Sequence, residues 1–519
     1  MGLLRSTFTV SSMTLLSRIL GLARDMVFTR LFGVGLGTDA FLIAFKIPNF
    51  LRRLFAEGAF SQAFVPVLTE YKNHKGQDEV SDLTAHVAGT LAGILFIITL
   101  IVVVASPILV MVFAPGFIGQ QEKLDLTAQM LRVTIPYILF ISLTALAAGV
   151  LNSYGRFAIP AFTPVLLNLS LIACAVWLAP YMAEPVMALA WGVFIAGILQ
   201  LAFQLPFVAK LGLLRRPRWG WKHSGVRRVM KLMLPGIFGS SVMQINLLFD
   251  VLIASFLVTG SVTWLYLADR MVELPLGIFG IALATVILPN LSEKHVQSDP
   301  DGFSHMLDWA LRWVLVIGLP AAVGLAILAS PILTTLFLYG DVTANDIHMA
   351  SISLWAYAFG LLGFILVKVL APGYFARQDT KTPVRIAIIA MVVNMVCNVV
   401  FVVAMLKLDI PGAHAGLALA TTVSAFVNAS LLLRGLKKAG VYQRQTGWLK
   451  LFLQAGLAAL AMGLLLLGLM GTDVAWQANS VLERVGRLSG LISLAVMTYF
   501  GLLWLLGWRF STLKRPRGH

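Results

Sequence analysis

The sequence predicts an all-α polytopic membrane protein of about fourteen transmembrane helices, built as two six-helix lobes with two further helices at the C-terminal end. Three observations predict it. The 519-residue chain is 59% hydrophobic and 12% charged, with a mean hydropathy of +0.88. Apolar runs of about 20 residues, enough to cross a bilayer core of roughly 30 Å, recur from end to end. The segments between these runs alternate in charge.

The spans follow in order, each closed by turn or charged residues. The first, 7–33, ends at the glycine-rich "GVGLGT", and the second, 38–70, at "YKNHKGQDE". The third (86–114) and fourth (127–152) flank "APGFIGQQEKLD"; "YGRF" separates the fourth from the fifth (160–181), and "APYMAEP" the fifth from the sixth (186–211). The basic stretch "KLGLLRRPRWGWKHSGVRRVMK" leads into the seventh (227–259), which "VTGS" parts from the eighth (262–292). "SEKH", "LYGDVTAND", "ARQDTKTPVR", "KLDIPGAH" and "RGLKKAGVYQRQTGWLK" then introduce the ninth (304–338), tenth (346–375), eleventh (383–407), twelfth (413–436) and thirteenth (448–470). The fourteenth, 486–509, runs into the tail "WRFSTLKRPRGH".

Lys and Arg crowd every second connection and are scarce in the others, so the basic set is assigned to the cytoplasm. An even number of spans puts both termini there, in agreement with the basic tail. The last outer loop, with Glu483, Arg484 and Arg487, departs from the pattern and is read as a helix start drawn toward the interface. "MGLLRSTFTVSSM" lacks a compact apolar core followed by a cleavage site, so the first span is expected to act as its own insertion signal.

The net charge of +16 does not mark a nucleic-acid binder, because the bases sit between spans. Cys174 and Cys397 lie inside apolar runs and predict neither a disulfide framework nor a thiolate metal site. The eight histidines lie mostly in loops or at span ends, so no metal centre is expected. No Walker loop, Gly-x-Ser-x-Gly or His-Glu-x-x-His occurs, so the chain is not read as an enzyme.

An internal repeat organises the chain. "GTDAFLIAFKIPNFLRRLFAEGAFSQAFVPVLTEY" at 37–71 resembles "GSVTWLYLADRMVELPLGIFGIALATVILPNLSEK" at 260–294, with Pro66, Leu68 and Glu70 falling on Pro289, Leu291 and Glu293. "YGRFAIPAFTPV" at 154–165 echoes "YFARQDTKTPV" at 374–384. The copies are separated by an even number of spans and so run in the same direction. The predicted parts are an N-terminal lobe (1–212), a basic interfacial linker (213–226) carrying Trp219 and Trp221, a C-terminal lobe (227–440), and helices 13 and 14 with the tail (441–519).

Charge inside the spans is the strongest functional signal, because an arginine in hydrocarbon costs several kcal/mol unless it faces protein or water. The first span carries Arg18, Arg24 and Asp25; the second carries Asp39, Lys46, Asn49, Arg52, Arg53 and Glu57; the eighth carries Asp269, Arg270 and Glu273; the tenth carries Lys368. On a straight helix Asp39, Lys46, Arg53 and Glu57 share one stripe. These residues are expected to line a hydrated cavity where the first two spans meet the seventh and eighth. Two plainer readings stand beside this one: structural ion pairs between helices, and snorkelling of Arg52, Arg53 and Glu57 to the surface. A cluster that is cationic overall suits an anion, and planar guanidinium groups match phosphate oxygens in bidentate fashion. Gly21, Pro48, Pro66, Pro275 and Pro289 provide places where these helices can bend.

"SSMTLLSRILGLARD" at 11–25, "GTDAFLIAFKIPNFLRRLFAEGAFSQAFVPVLTEYK" at 37–72 and "VKVLAPGYFARQDTKTPV" at 367–384 resemble the MurJ (MviN) lipid II flippases of the multidrug/oligosaccharidyl-lipid/polysaccharide exporter superfamily. The resemblance extends over nearly the whole chain. It implies two lobes around a central cavity, a groove for the lipid tail beside helices 13 and 14, and alternating access. The implied cargo is lipid II, an undecaprenyl-pyrophosphate-linked peptidoglycan precursor, moved from the inner to the outer leaflet of the bacterial cytoplasmic membrane. The family's cavity arginines match Arg18, Arg24, Arg52 and Arg270, and its second-helix acid matches Asp39. The straight-helix stripe selects Arg53 where the resemblance selects Arg52; a kink at Pro48 would reset the phase. Some relatives bind sodium where Asp250, Asn394 and Asn398 stand here; one carboxylate of that set is missing, so polar packing is the preferred reading and no cofactor is expected. The expected partners are lipid II and membrane lipids, with the cell-wall synthesis machinery a further candidate, and the chain is expected to act as a monomer. A flippase for another polyprenyl-linked glycan, a cation-coupled multidrug exporter and a membrane scaffold are the competing functions.

Overall fold

The computed structural model of the chain describes residues 2–53 and 60–509, and every regular element among them is helical. Contacts divide the chain into two compact units, 1–262 and 263–519.

The first unit holds α1 (Gly2–Phe32), α2 (Leu36–Arg52), α3 (Ser61–His74), α4 (Gln77–Val104), α5 (Ser106–Phe113), α6 (Gln121–Thr134), α7 (Tyr137–Ser153), α8 (Ala158–Ala173), α9 (Met187–Lys210) and α10 (Ser224–Ser255). One core of this unit joins Phe64, Val67, Leu68 and Tyr71 of α3 to Val80 and Leu83 of α4, Val150 and Leu151 of α7, and Val226 and Val229 of α10. α10 packs on α3, α4 and α5, and α1 lies along α8.

The second unit begins with α11, whose Ser261–Pro275 range starts just inside the first unit. It continues through α12 (Ile281–Val296), α13 (Pro300–Ile327), α14 (Ala329–Phe337), α15 (Ala344–Phe375), α16 (Lys381–Lys407), α17 (Ala415–Lys438), α18 (Trp448–Met470), α19 (Asp473–Ala478) and α20 (Val481–Leu505). α15 packs on α13 and α17, and α18 on α13 and α20. Asp308 of α13 gathers the α17–α18 connection. Its Oδ1 accepts from the Tyr442 hydroxyl at 2.8 Å, the Trp448 indole at 2.7 Å and the Gln445 amide at 3.3 Å, while Oδ2 accepts from Arg312 at 2.6 Å.

Eleven helical segments among the described residues are long and apolar enough to cross a membrane. They correspond to the third to sixth and eighth to fourteenth predicted spans. The first, second and seventh predicted spans fall on α1, on α2 with α3, and on α10. α1 carries Arg18, Arg24 and Asp25 and α2 carries Lys46 and Arg52, while the described Gln244–Ser255 of α10 is a shorter apolar helix. Several spans expected to be continuous are broken. The third begins nearly ten residues early and breaks at Ala105, the fourth breaks between Thr134 and Tyr137 at Pro136, and the ninth breaks at Leu328. The eighth changes to a π turn over Leu276–Gly280, immediately after Pro275. Arg53, which stands at the repeat position of Leu276, also adopts π geometry. Both repeats therefore widen the helix at the same point.

Pro48 sits inside α2 and cannot donate to the carbonyl of Ala44. The Thr134 hydroxyl of α6 donates to that carbonyl instead, at 3.3 Å. Arg484 and Arg487, the anomalous bases at the start of α20, close helix C-termini. Arg484 is buried and donates to the carbonyls of Trp476, Gln477, Thr334 and Leu338; Arg487 donates to those of Leu469 and Met470. They satisfy carbonyls that a helix end leaves without partners.

Candidate functional site: charges within the helices

α1 places Arg24 and Asp25 side by side, and the Arg24 side chain folds back along the helix. Its Nε and Nη2 donate to Asp25 Oδ1 at 2.9 and 2.6 Å, and Nη1 donates to Asn168 Oδ1 of α8 at 3.2 Å. Asn168 in turn donates to the Ser17 carbonyl at 3.0 Å. Arg24 is 8% exposed, Asp25 0% and Asn168 6%. The three polar groups therefore pin α1 to α8. For Arg24 the structure matches the plainer reading of a structural ion pair. Arg18, about two turns earlier on α1, is half-buried.

The four residues of the predicted α2 stripe do not share one environment. Asp39 is buried, and its Oδ2 accepts from Lys123 Nζ of α6 at 3.1 Å and from the Gly260 amide at 2.7 Å. Lys123 is 2% exposed, lies 4.4 Å from the centre of the Phe117 ring, and also approaches the Thr259 hydroxyl at 3.4 Å. Lys46 is half-buried, Arg53 is exposed, and Glu57 lies outside the described residues. Arg52, half-buried at the end of α2, donates through Nε to Asn49 Oδ1 at 3.2 Å. α2 runs through Pro48 to Arg52, and Arg53 follows in π geometry.

In the second unit, Arg270 of α11 donates to Glu273 Oε2 at 2.8 Å and to the Tyr266 hydroxyl at 3.3 Å, with its guanidinium 5.4 Å from the Tyr266 ring centre. The two charged side chains remain 31% and 47% exposed, so neighbouring polar groups hold the guanidinium in place without sealing it from solvent. Asp269 and Lys368 are exposed. On α16, Asn398 donates to Asn394 at 2.9 Å and Asn394 to the Thr421 hydroxyl at 3.3 Å; both asparagines are fully buried. Asp250 belongs to the first unit, on α10, and is half-buried.

Sequence reasoning missed Lys123 and Asn168. Lys123 sits in what reads as a polar loop, yet it begins a buried series with Leu124, Thr127, Ala128 and Leu131 on α6. That helical spacing was the available signal. Asn168 lies 144 residues from Arg24, and nothing in one sequence marks the pair.

The family model described as lipid II flippase MurJ matches residues 28–486. A probable lipid II flippase MurJ from Vibrio cholerae serotype O1 is 49% identical over 521 residues, covering 99% of this chain and 98% of that protein. The lipid II flippase MurJ of Burkholderia cenocepacia is 42% identical and covers 99% of each chain. A solved structure of lipid II flippase MurJ in an inward closed conformation superposes with a TM-score of 0.80 at 28% identity, covering 96% of this chain and 98% of that one. An inward-facing multidrug resistance MATE transporter of the MOP superfamily shares the fold, with a TM-score of 0.64 at 14% identity over 84% of this chain and 98% of its own.

Proposed function

The chain belongs to the lipid II flippase MurJ family, and from that premise we propose that it is a multi-pass membrane flippase that carries lipid II from the inner to the outer leaflet by alternating access. The substrate's pyrophosphate presents several anionic acceptor oxygens, and guanidinium forks are the side chains best matched to them.

The observation that carries the reading is the graded burial of the intramembrane arginines. Arg18, Arg52 and Arg270 are half-buried on the helices that the sequence reads as the first, second and eighth spans, whereas Arg24 is enclosed with Asp25 and Asn168. Guanidinium groups within a span face polar protein groups or water rather than hydrocarbon, and those that keep exposed surface are accessible to an anion. We assign Arg18, Arg52 and Arg270 to the diphosphate. Asn49, Tyr266 and Glu273 hold the latter two in orientation. Arg24 fixes the shape of α1, so its loss acts through α1 and α8. The buried pair Asp39–Lys123, with the Gly260 amide, serves as a closed contact near the start of α2. The basic connections support a cytoplasmic location for both termini. The mutual bonds of Asn394 and Asn398 support polar packing rather than sodium binding.

The test is transbilayer movement of labelled lipid II in vesicles reconstituted with the full chain. Arg52→Ala and Arg270→Ala are expected to slow it about tenfold or more, the equivalent of one charge-assisted hydrogen bond. Lysine at the same positions keeps the charge but loses the fork and is expected to recover only part of the rate. Alanine variants that flip at the wild-type rate would remove the arginines from the mechanism.

A further inference from the structure

The connection between α9 and α10 is laid onto α4 by backbone contacts. The Arg218 amide donates to the Ala85 carbonyl at 3.0 Å, and the Gly220 amide donates to the Thr90 hydroxyl at 2.9 Å. The approach leaves no room for side chains: a Cβ at Gly89 would lie 2.3 Å from the Arg218 carbonyl oxygen, and one at Gly220 would lie 2.7 Å from His86 Cβ. This docking delivers His223 to Asp82 and His86, which stand one turn apart on α4. His86 Nδ1 lies 3.2 Å from Asp82 Oδ2, and His223 Nε2 lies 3.5 Å from the same oxygen. The two imidazoles stack with centroids 4.9 Å apart, and one ligand atom from each of the three residues lies within 4.8 Å of the others. None of them takes part in the charge clusters of the spans.

We propose that Asp82, His86 and His223 bind a divalent transition metal ion of the zinc type and so clamp the α9–α10 connection to α4. Two imidazoles and one carboxylate are a ligand set that such ions favour. Ligands at about 2.0–2.2 Å from a tetrahedral ion stand roughly 3.3–3.6 Å apart, so the three ligand atoms, now within 4.8 Å of one another, draw closer when an ion binds.

The hydrogen bonding fits this role. His86 Nδ1 lies 2.9 Å from the Asp82 carbonyl oxygen. A proton held there presents the Nε2 lone pair outward, the arrangement usual for a histidine that ligates metal. His223 Nδ1 accepts from the Gly225 amide at 3.2 Å, which places the ring proton on Nε2, facing Asp82. An ion taking that position requires the ring proton to move to Nδ1, and the bond from Gly225 is given up. A cavity of about 750 Å³, lined by both histidines, Trp219, Trp221 and Lys222, leaves space for water as the fourth ligand. The histidine and aspartate side chains are 19% and 31% exposed, so an ion can reach them.

The test uses the purified full chain in detergent, free of any polyhistidine tag and stripped with a chelator, titrated with Co(II) and followed by the visible absorption of tetrahedral cobalt. One saturable equivalent is expected, displaced by Zn(II), weakened at least tenfold in Asp82→Asn and abolished in the His86→Ala/His223→Ala double variant. Absence of saturable binding in the wild type, or unchanged binding in the double variant, would overturn the proposal. His223→Ala alone leaves α4 intact. With chelator present it is expected to unfold somewhat below the wild type, because the cap of α10 is lost, and to lack the rise that zinc gives the wild type. A zinc-induced rise that persists in this variant would equally overturn the site.

Discussion

Replacing Asp39 with asparagine tests the buried Asp39–Lys123 pair most directly. The charges are 3.1 Å apart, and the side chains are 1% and 2% exposed. At an effective dielectric of about 20 their attraction is about 5 kcal/mol. Much of this offsets the desolvation of the two groups, so the pair need not contribute net stability. Removing one partner is a different matter, because it strands a buried charge at a cost of about 3–5 kcal/mol. Asparagine keeps an oxygen for the Gly260 amide at 2.7 Å, so the loss in Asp39→Asn reports chiefly on the stranded ammonium. Lys123→Met keeps the aliphatic stem against Phe117 and strands the carboxylate. The double variant has no charge left to strand and is expected to regain most of the stability lost by either single variant. Thermal and denaturant unfolding of all four proteins in one detergent closes the cycle, with an expected coupling energy of about 2 kcal/mol or more. A coupling below about 0.5 kcal/mol would refute the reasoning and would mean that water or lipid headgroups already solvate Lys123.

Three further outcomes follow. Asp308→Ala removes the acceptor of Tyr442, Trp448, Gln445 and Arg312 and is expected to destabilise the second unit by about 3–5 kcal/mol, with faster proteolysis in residues 439–447. Burial and, after it, Asp308 hold the Tyr442 hydroxyl pKa well above its ordinary value, so no loss of this cluster through tyrosine ionisation is expected at neutral pH. Lys294 and the Gly302 amide hold the Asp299 carboxyl below the usual carboxylate range. Its capping of α13 is therefore fully present above the unfolded value near about 4 and is lost as the pH falls through the lower folded value. Hydrogen exchange at residues 301–304 should quicken across that interval, and Asp299→Ala should abolish the pH dependence. Gly89→Ala places a methyl group against the Arg218 backbone, and exchange at Arg218 and Gly220 should rise sharply while α8 and α9 keep their protection.

Much of the helix layout was legible because hydrophobic length is set by the bilayer. The thirteenth span falls at Trp448–Met470 as predicted, and the tenth and eleventh begin within two residues of expectation. What was not legible depends on contacts distant in sequence or on departures from ideal helix geometry. A straight-helix projection put Asp39 and Arg53 on one face, whereas Asp39 is drawn into the packing by Lys123 and Arg53 lies at a change to π geometry. The bases of the last loop looked anomalous because a charge count cannot see the carbonyls that Arg484 and Arg487 cap. The arginines stood out in the sequence as charges inside apolar runs, but the enclosure of Arg24 rests on Asn168, a residue that is ordinary in its own span.

The contact of Thr134 with Ala44 ties two motions into one. In most proline-containing helices the carbonyl released by the ring is left to water or to its own helix, so the hinge flexes independently of its surroundings. Here the released oxygen is met by the Thr134 hydroxyl of α6, which is shared with the Leu131 carbonyl of its own helix at the same 3.3 Å, so bending of α2 at Pro48 is linked to α6, the helix that also carries Lys123. Strain introduced at either end of α2 is thereby transmitted sideways through a neutral bond of modest strength. Such a bond is strong enough to define a rest position and weak enough to be broken and remade in every cycle.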